Sequence, residues 1–458
     1  MTLIIPGVEV KVVKEVLAPQ LAPAGVLGLV GLTEKQPPGQ GRAASWNRFI
    51  ELYGPGSAYS LPQAAQALAN GVFELVVVPV NSSTAKAASV KITAVEGSDA
   101  AFTLNARAAG IWANGLAITV ANRSTLDGRN VFDLGIQRPG GDDGEFHRNL
   151  SVDPADARSV DKVLAAASQL ATAQLAAGAK LPKDADAAAP YKLAGGKDAA
   201  PADYTAALAA LENEADVDMV LVALQDFSDP KKVAKAYADV ITHCERLSTQ
   251  SKGRIGFGEV PGGGAAGDWV QLADNLRSDR FVLLAPNGVA GAVAGMVGSL
   301  DYFQSPTFKR VGGLTALSAA LGVEDQQTLL KDNVVPVVNQ RGRGTIVVRG
   351  LTTDGDQISV RRVADRAVRG VKSVGDLFIG RLNNELGRGA LKQKLVEFLT
   401  QMTNDGALVP STDGTDPPFK VNVYSSQDDF AKGIVRVDLA VRPVRAIDYI
   451  YATVLVQV

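Results

Sequence analysis

The sequence predicts a mixed α/β (α+β mixed) protein of several domains. Three observations carry this expectation. At 458 residues the chain exceeds what one hydrophobic core usually serves. Two stretches, 21–81 and 201–340, follow the order strand, helix, strand that a mainly parallel sheet needs. Between them lies a turn-rich, then alanine-rich stretch of different character.

At the N-terminus, Val8, Val10 and Val12 alternate with Glu9 and Lys11, the period-two pattern of a half-buried strand, and residues 1–20 read as an arm. The apolar run at 26–31 follows, stopped by Pro37, Pro38 and Gly39. Residues 61–71 read as a helix, with Pro62 near its start and Gly71 just past its end. A buried strand follows at 74–80. From 82 to 150 the turn signals Asn114–Gly115, Asp127–Gly128 and 139–144 mark a β-rich insertion. Residues 151–200 are rich in alanine and read as part helix, part variable surface segment.

The second α/β block has a helix at 203–214, a buried strand at 218–225, and a long helix opened by Asp229 as N-cap and Pro230 as first residue. Strands at 254–260 and 280–286 complete it. In the last block, 341–445, residues 345–353 read as a strand. Leu391, Leu395, Phe398, Leu399 and Met402 share one face of a helix that Asp405–Gly406 ends. Val435, Val437, Leu439 and Val441 then alternate with charged residues. Residues 446–458 are strand-forming to the last position and read as a C-terminal arm.

An apolar strand left unpaired templates association with another chain, so these ends must be paired in the working protein. Pairing inside the chain's own fold and addition to a neighbouring subunit both satisfy that need, and the pattern leaves both open. Candidates for exchange are Val8, Val10, Val12, Val435, Val437, Leu439, Tyr449, Tyr451, Val454 and Val456.

A net charge of −2 gives no global pull toward nucleic acid or an anionic membrane. The single cysteine, Cys244, excludes an intrachain disulfide and a cysteine-based metal site. The first ten residues lack a secretory pattern. The apolar stretch 289–300 is short and interrupted by Gly291, Gly295 and Gly298, so no membrane span is expected and the protein reads as soluble.

Catalytic signals are weak. The glycine-rich 256–267 fits neither a phosphate-loop nor a dinucleotide-binding spacing and reads as a connector. His243 and Cys244 are adjacent on a helix, where neighbours point about 100° apart, a poor nucleophile–base geometry. With only His147 and His243, a histidine-rich metal site is excluded. Asp142–Asp143 and Asp428–Asp429 read as solvated loops or caps. No catalytic, cofactor-binding or metal-ligating set is expected.

Several segments, in order, resemble the contractile phage tail sheath family. They are PGVEV (6–10) with VLGLVG (26–31), SWNRFIELYG (45–54), ALANGVFELVVVPV (67–80), the glycine-containing block 193–222, and His243–Cys244–Glu245. The series continues with 294–313, NQRGRGTIVVRGLTT (339–353), ISVRRVADRAVRGVK (358–372), FLTQMTNDGAL (398–408) and the closing 437–457. Two positions depart from the family: Val348 replaces a tryptophan, and Ala223–Leu224–Gln225 replaces a proline-glycine turn. Residues 82–190 match no family element. The chain thus resembles a divergent member, from a phage tail or a phage-tail-like injection particle.

The resemblance implies a core domain made of 21–81 together with 341–445, with the middle of the chain as outward-facing insertions. It also implies hexameric rings stacked helically around an inner tube, with both arms adding strands to neighbours' sheets. Baseplate and tail terminator or cap proteins are implied partners. So are assembly in the bacterial cytoplasm, contraction that drives the tube through a target envelope, and no cofactor. For the tube contact, seven arginines and one lysine between Arg341 and Lys372 stand against three aspartates. Arg361, Arg362, Arg366 and Arg369 are the tube-facing candidates. A solvated face paired to nearby carboxylates explains the same charges, whereas nucleic acid is disfavoured because no aromatic residues interleave them. Two other classes remain: an α/β enzyme or binding protein with an unrecognised site, and a static self-assembling shell. Striated tubes separate a sheath from an enzyme, and two tube diameters separate it from a static shell.

Overall fold

The computed structural model describes residues 21, 23–37, 41–96, 99–139 and 144–452. Val8, Val10, Val12, Val454 and Val456 lie outside them. The chain divides into two units, one holding 23–365 with the chain from 445 onward, the other holding 366–444.

The first unit opens with β1 (Val26–Gly31), β2 (Gly41–Ala43), α1 (Trp46–Tyr53), α2 (Ser57–Ser60), α3 (Pro62–Ala69) and β3 (Glu74–Pro79). Every residue of β1 is buried. Such a strand needs a neighbour on each side and cover on each face. β3 pairs with it in parallel on one side, and Met219–Val222 (introduced below as β11) does so on the other, with Leu27 opposite Met219.

An insertion follows: β4 (Ser89–Thr93), β5 (Ala100–Ala106), β6 (Ala117–Leu126), β7 (Arg129–Gln137), β8 (Gly144–Leu150), α4 (Val160–Ala167), β9 (Ala171–Leu175) and β10 (Tyr191–Lys192). The β6–β7 turn is the expected Asp127–Gly128 pair, with φ of 51° and 77°, the two positive values of a type I′ hairpin. The boundary expected at 150 does not hold. β9 pairs with β5 and β10 with β6, while Val160, Leu164, Leu170, Ala171 and Leu193 are buried with Phe102 and Phe132 in one core. The alanine-rich segment is therefore structural, because its few large apolar residues complete that core. Arg107 joins the insertion to the α/β part through Glu34 (2.9 Å).

The chain then returns to the large sheet with α5 (Pro201–Ala210), β11 (Met219–Val222), α6 (Pro230–Ser248), β12 (Ile255–Glu259), α7 (Ala266–Asp274), β13 (Phe281–Ala285), α8 (Ala290–Ser299), α9 (Val323–Lys331), β14 (Val335–Gln340) and β15 (Gly344–Val347). The eight strands run in the order β15-β14-β13-β12-β11-β1-β3-β2, parallel except for β2 and β15. Alternate residues feed two cores: Leu27, Leu29 and Val77 pack with α3 and α8 on one face, Val30, Val76 and Val78 with α5 and α6 on the other. The expected union of 21–81 with the last third is thus corrected. The apolar β1 is hydrogen-bonded between β3 and β11, which makes 21–81 and 201–347 one domain.

The second unit comprises most of α10 (Ile358–Asp376), then α11 (Glu385–Asn404), β16 (Phe419–Tyr424), α12 (Gln427–Ala431) and β17 (Arg436–Val441). Val374, Leu391 and Leu395 form its core, against which Phe398, Val421, Val423, Val435 and Val437 pack. α11 ends as expected, with Gly406 at φ 82°.

Candidate assembly surfaces

The chain after Val444 returns to the first unit, where it is held at its root. Arg445 pairs with Asp356 (2.7 Å). Gln357, at the start of α10 and only 6% exposed, spends both ends of its amide here. Its Oε1 accepts from the Ala446 backbone N–H (2.9 Å), and its Nε2 donates to the Ala446 carbonyl (3.0 Å) and to Asp448 Oδ2 (2.9 Å). Arg349, just past β15, donates to the same Oδ2 at 2.9 Å, and its guanidinium lies 5.2 Å from the Tyr449 ring centroid. Beyond this clamp the chain is exposed: Tyr449 63%, Ile450 84% and Tyr451 94%. These residues were expected in a strand, yet 449–452 are not in one.

The hairpin of β16 and β17 is a two-stranded sheet. Its register runs from Phe419 opposite Val441 to Tyr424 opposite Arg436. Val437 and Leu439 occupy β17 and Val435 directly precedes it; Val435 and Val437 turn toward α11, so their side chains serve this unit's own core. Among the described residues neither outer edge of the pair carries a further strand. The hairpin's closing turn is pinned by Arg436, which donates to both oxygens of Asp429 (2.7 and 2.8 Å).

The expected arginine face is largely an internal network. Arg362 is buried and donates to the carbonyls of Val297 (2.8 Å) and Leu300 (3.3 Å) at the end of α8. Arg361 bridges Asp279 (2.7 Å) and Asp365 (3.0 Å), and Asp365 also receives both terminal nitrogens of buried Arg280 at 3.1 Å. Arg361 and Arg362 are therefore corrected as tube-facing residues: their guanidiniums are committed inside the first unit. Arg366 and Arg369, one and two turns on, are half-buried.

The sequence profile of the phage tail sheath protein central domain matches residues 197–353, and that of the phage tail sheath C-terminal domain matches 352–457. Together they span more than half of the chain. The chain belongs to the phage tail sheath family. The sheath protein shares its fold with the sheath tail protein of Listeria innocua (14% identity, 94% of each chain covered, TM-score 0.54). It is also similar to the anti-feeding prophage helical sheath in the contracted state (14%, 99% of each chain, TM-score 0.57). A third similar fold is the PVC sheath of an extracellular contractile injection system, also contracted (12%, 99% of this chain and 98% of that one, TM-score 0.58). No curated protein matches the sequence significantly. The protein is thus a tail sheath subunit.

Other polar features of this sheath subunit serve its fold. Burial pushes the Cys244 thiol up to about 12 and, with Arg254 beside it, pushes His243 down to about 4. Neutral His243 Nε2 accepts from Arg254 Nη1 at 2.9 Å, so the pair holds neither a thiolate nor a free base. The 256–267 segment is β12, a turn and the start of α7. Glu259, at the end of β12, accepts from the Gly288 and Ala290 N–H groups (2.9 and 3.0 Å) and caps the start of α8. Among the described residues no cluster of potential metal ligands occurs, and no helix is long and apolar enough to cross a membrane.

Proposed function

We propose that the subunit polymerises with copies of itself as stacked hexameric rings around an inner tube, joined by donated strands, and contracts as one lattice. The observation that carries this reading is the exposed, strand-forming segment at Tyr449, Ile450 and Tyr451, continuous with residues anchored at Asp448. An apolar segment with unpaired backbone gains hydrogen bonds by adding to an open sheet edge, and the β16–β17 hairpin offers such edges on a neighbouring copy. Baseplate, terminator and inner tube are the further partners of this reading, and bacterial cytoplasm the place of assembly. Tube contact through Arg366 and Arg369 belongs to this reading because of the net positive charge of residues 341–372. No chemistry is required: two packings of one sequence that differ by ~2 kcal/mol per subunit supply mechanical work when summed over a lattice.

Deletion of Tyr449–Val458 tests the reading. The truncated protein should stay monomeric with an unchanged thermal transition, and electron microscopy should show no sheaths. Normal polymers from the truncation would refute strand donation.

A further inference from the structure

The transition from held to exposed chain is abrupt. The Asp448 side chain is 7% exposed, and three positions later Tyr451 is 94% exposed. A segment that merely trailed from the fold would not occupy both ends of a buried glutamine and a buried carboxylate, since each such group costs free energy unless fully paired. The clamp is also assembled from three separate places: Thr307 (3.4 Å from Asp448 Oδ1), Arg349 after β15, and Gln357 opening α10.

We propose that Asp448, gripped by Arg349 and Gln357, is the positioning residue that fixes where the donated segment leaves its own subunit. This rests on the strand-donation reading. Its physical basis is tether length. Freeing 445–448 adds four residues to the leash, roughly 13 Å of extended chain. Local concentration at a partner edge depends on the match between leash and span, so a longer leash weakens donation without removing any contact at the acceptor. The clamp also sends pull on the arm into the eight-stranded sheet through Arg349, beside β15.

The test uses the full-length protein with Asp448→Ala, Asp448→Asn and the Tyr449–Val458 deletion, read by tryptic cleavage after Arg445 and by sheath yield. In the wild type that bond should be cut slowly, because the clamp on Ala446 and Asp448 has to open before the chain can enter the protease. Asp448→Ala should speed cleavage roughly ten-fold, since a lost charged hydrogen bond opens the segment by about that factor, and should lower sheath yield with the thermal transition unchanged. Should Asp448→Ala lose its thermal transition, Asp448→Asn, which keeps an acceptor for Gln357, decides by the same readouts. The deletion should abolish sheaths while the Arg445 bond stays comparatively protected. Wild-type cleavage and sheath yield in the Asp448 variants, with the deletion still inactive, would overturn the clamp and leave strand donation standing. Sheaths from the deletion would instead overturn donation itself.

Discussion

Arg362 and Asp365 sit four and seven residues into a helix whose charge pattern is visible in the sequence, but their partners are not. Asp365 meets Arg280 across 85 positions, and Arg362 finds carbonyls 62 to 65 positions away. Periodicity states which side chains share a face, not which face is covered. For the same reason the Asp448 clamp was illegible, since Gln357 carries no motif. His243 was read as a helix residue, and its role follows only from burial against Arg254. Its folded value near 4 lies below the ordinary 6.5. Between these values the unfolded chain binds a proton that the folded chain refuses, so stability is full above pH 6.5 and falls as pH drops toward 4. This group should cost about 2 kcal/mol between pH 7 and pH 5. His243→Gln, which keeps an acceptor for Arg254 but does not titrate, should flatten that part of the slope in urea titrations; an unchanged slope would assign it elsewhere.

Elements with strong local chemistry were legible: Pro62 opening α3, Asp229 accepting from the Lys231 N–H at the start of α6, the Asp127–Gly128 hairpin, and Gly406 closing α11. The stretch 289–300 was legible as too short and glycine-broken for a membrane. Its glycines have a packing reason: a Cβ on Gly291 or Gly295 would strike the α3 backbone at Gln63 or Ala67. α8 is apolar all round because it is buried all round. Gly295→Val should therefore destabilise by about 3 kcal/mol through overpacking. Gly389→Ala in α11, where nothing lies within 4 Å of the new methyl, should gain about 0.5–1 kcal/mol from helix propensity. Chemical denaturation of the two variants checks both signs.

At the scale of the molecule, the α/β class was legible from alternation, and the family from many weak segments in order. The partition was not. Strand order is a long-range property: β1 lies beside β11, some 190 residues later in the chain, and no local pattern encodes that register. The alanine-rich 151–200 looked peripheral because its composition hides the few residues, Leu164 and Leu170 among them, that fill the insertion's core. At this scale the proposed strand donation rests on two hairpin edges that carry no further strand among the described residues and on an exposed apolar segment leaving a fixed point. The most direct measurement is a cryo-electron microscopy map of sheaths formed by the full-length protein. Residues beyond Ile450 should appear as a strand on the β16–β17 hairpin of an adjacent copy, with Asp448 still on Arg349 of its own subunit; a segment folded back along its own molecule would contradict the account.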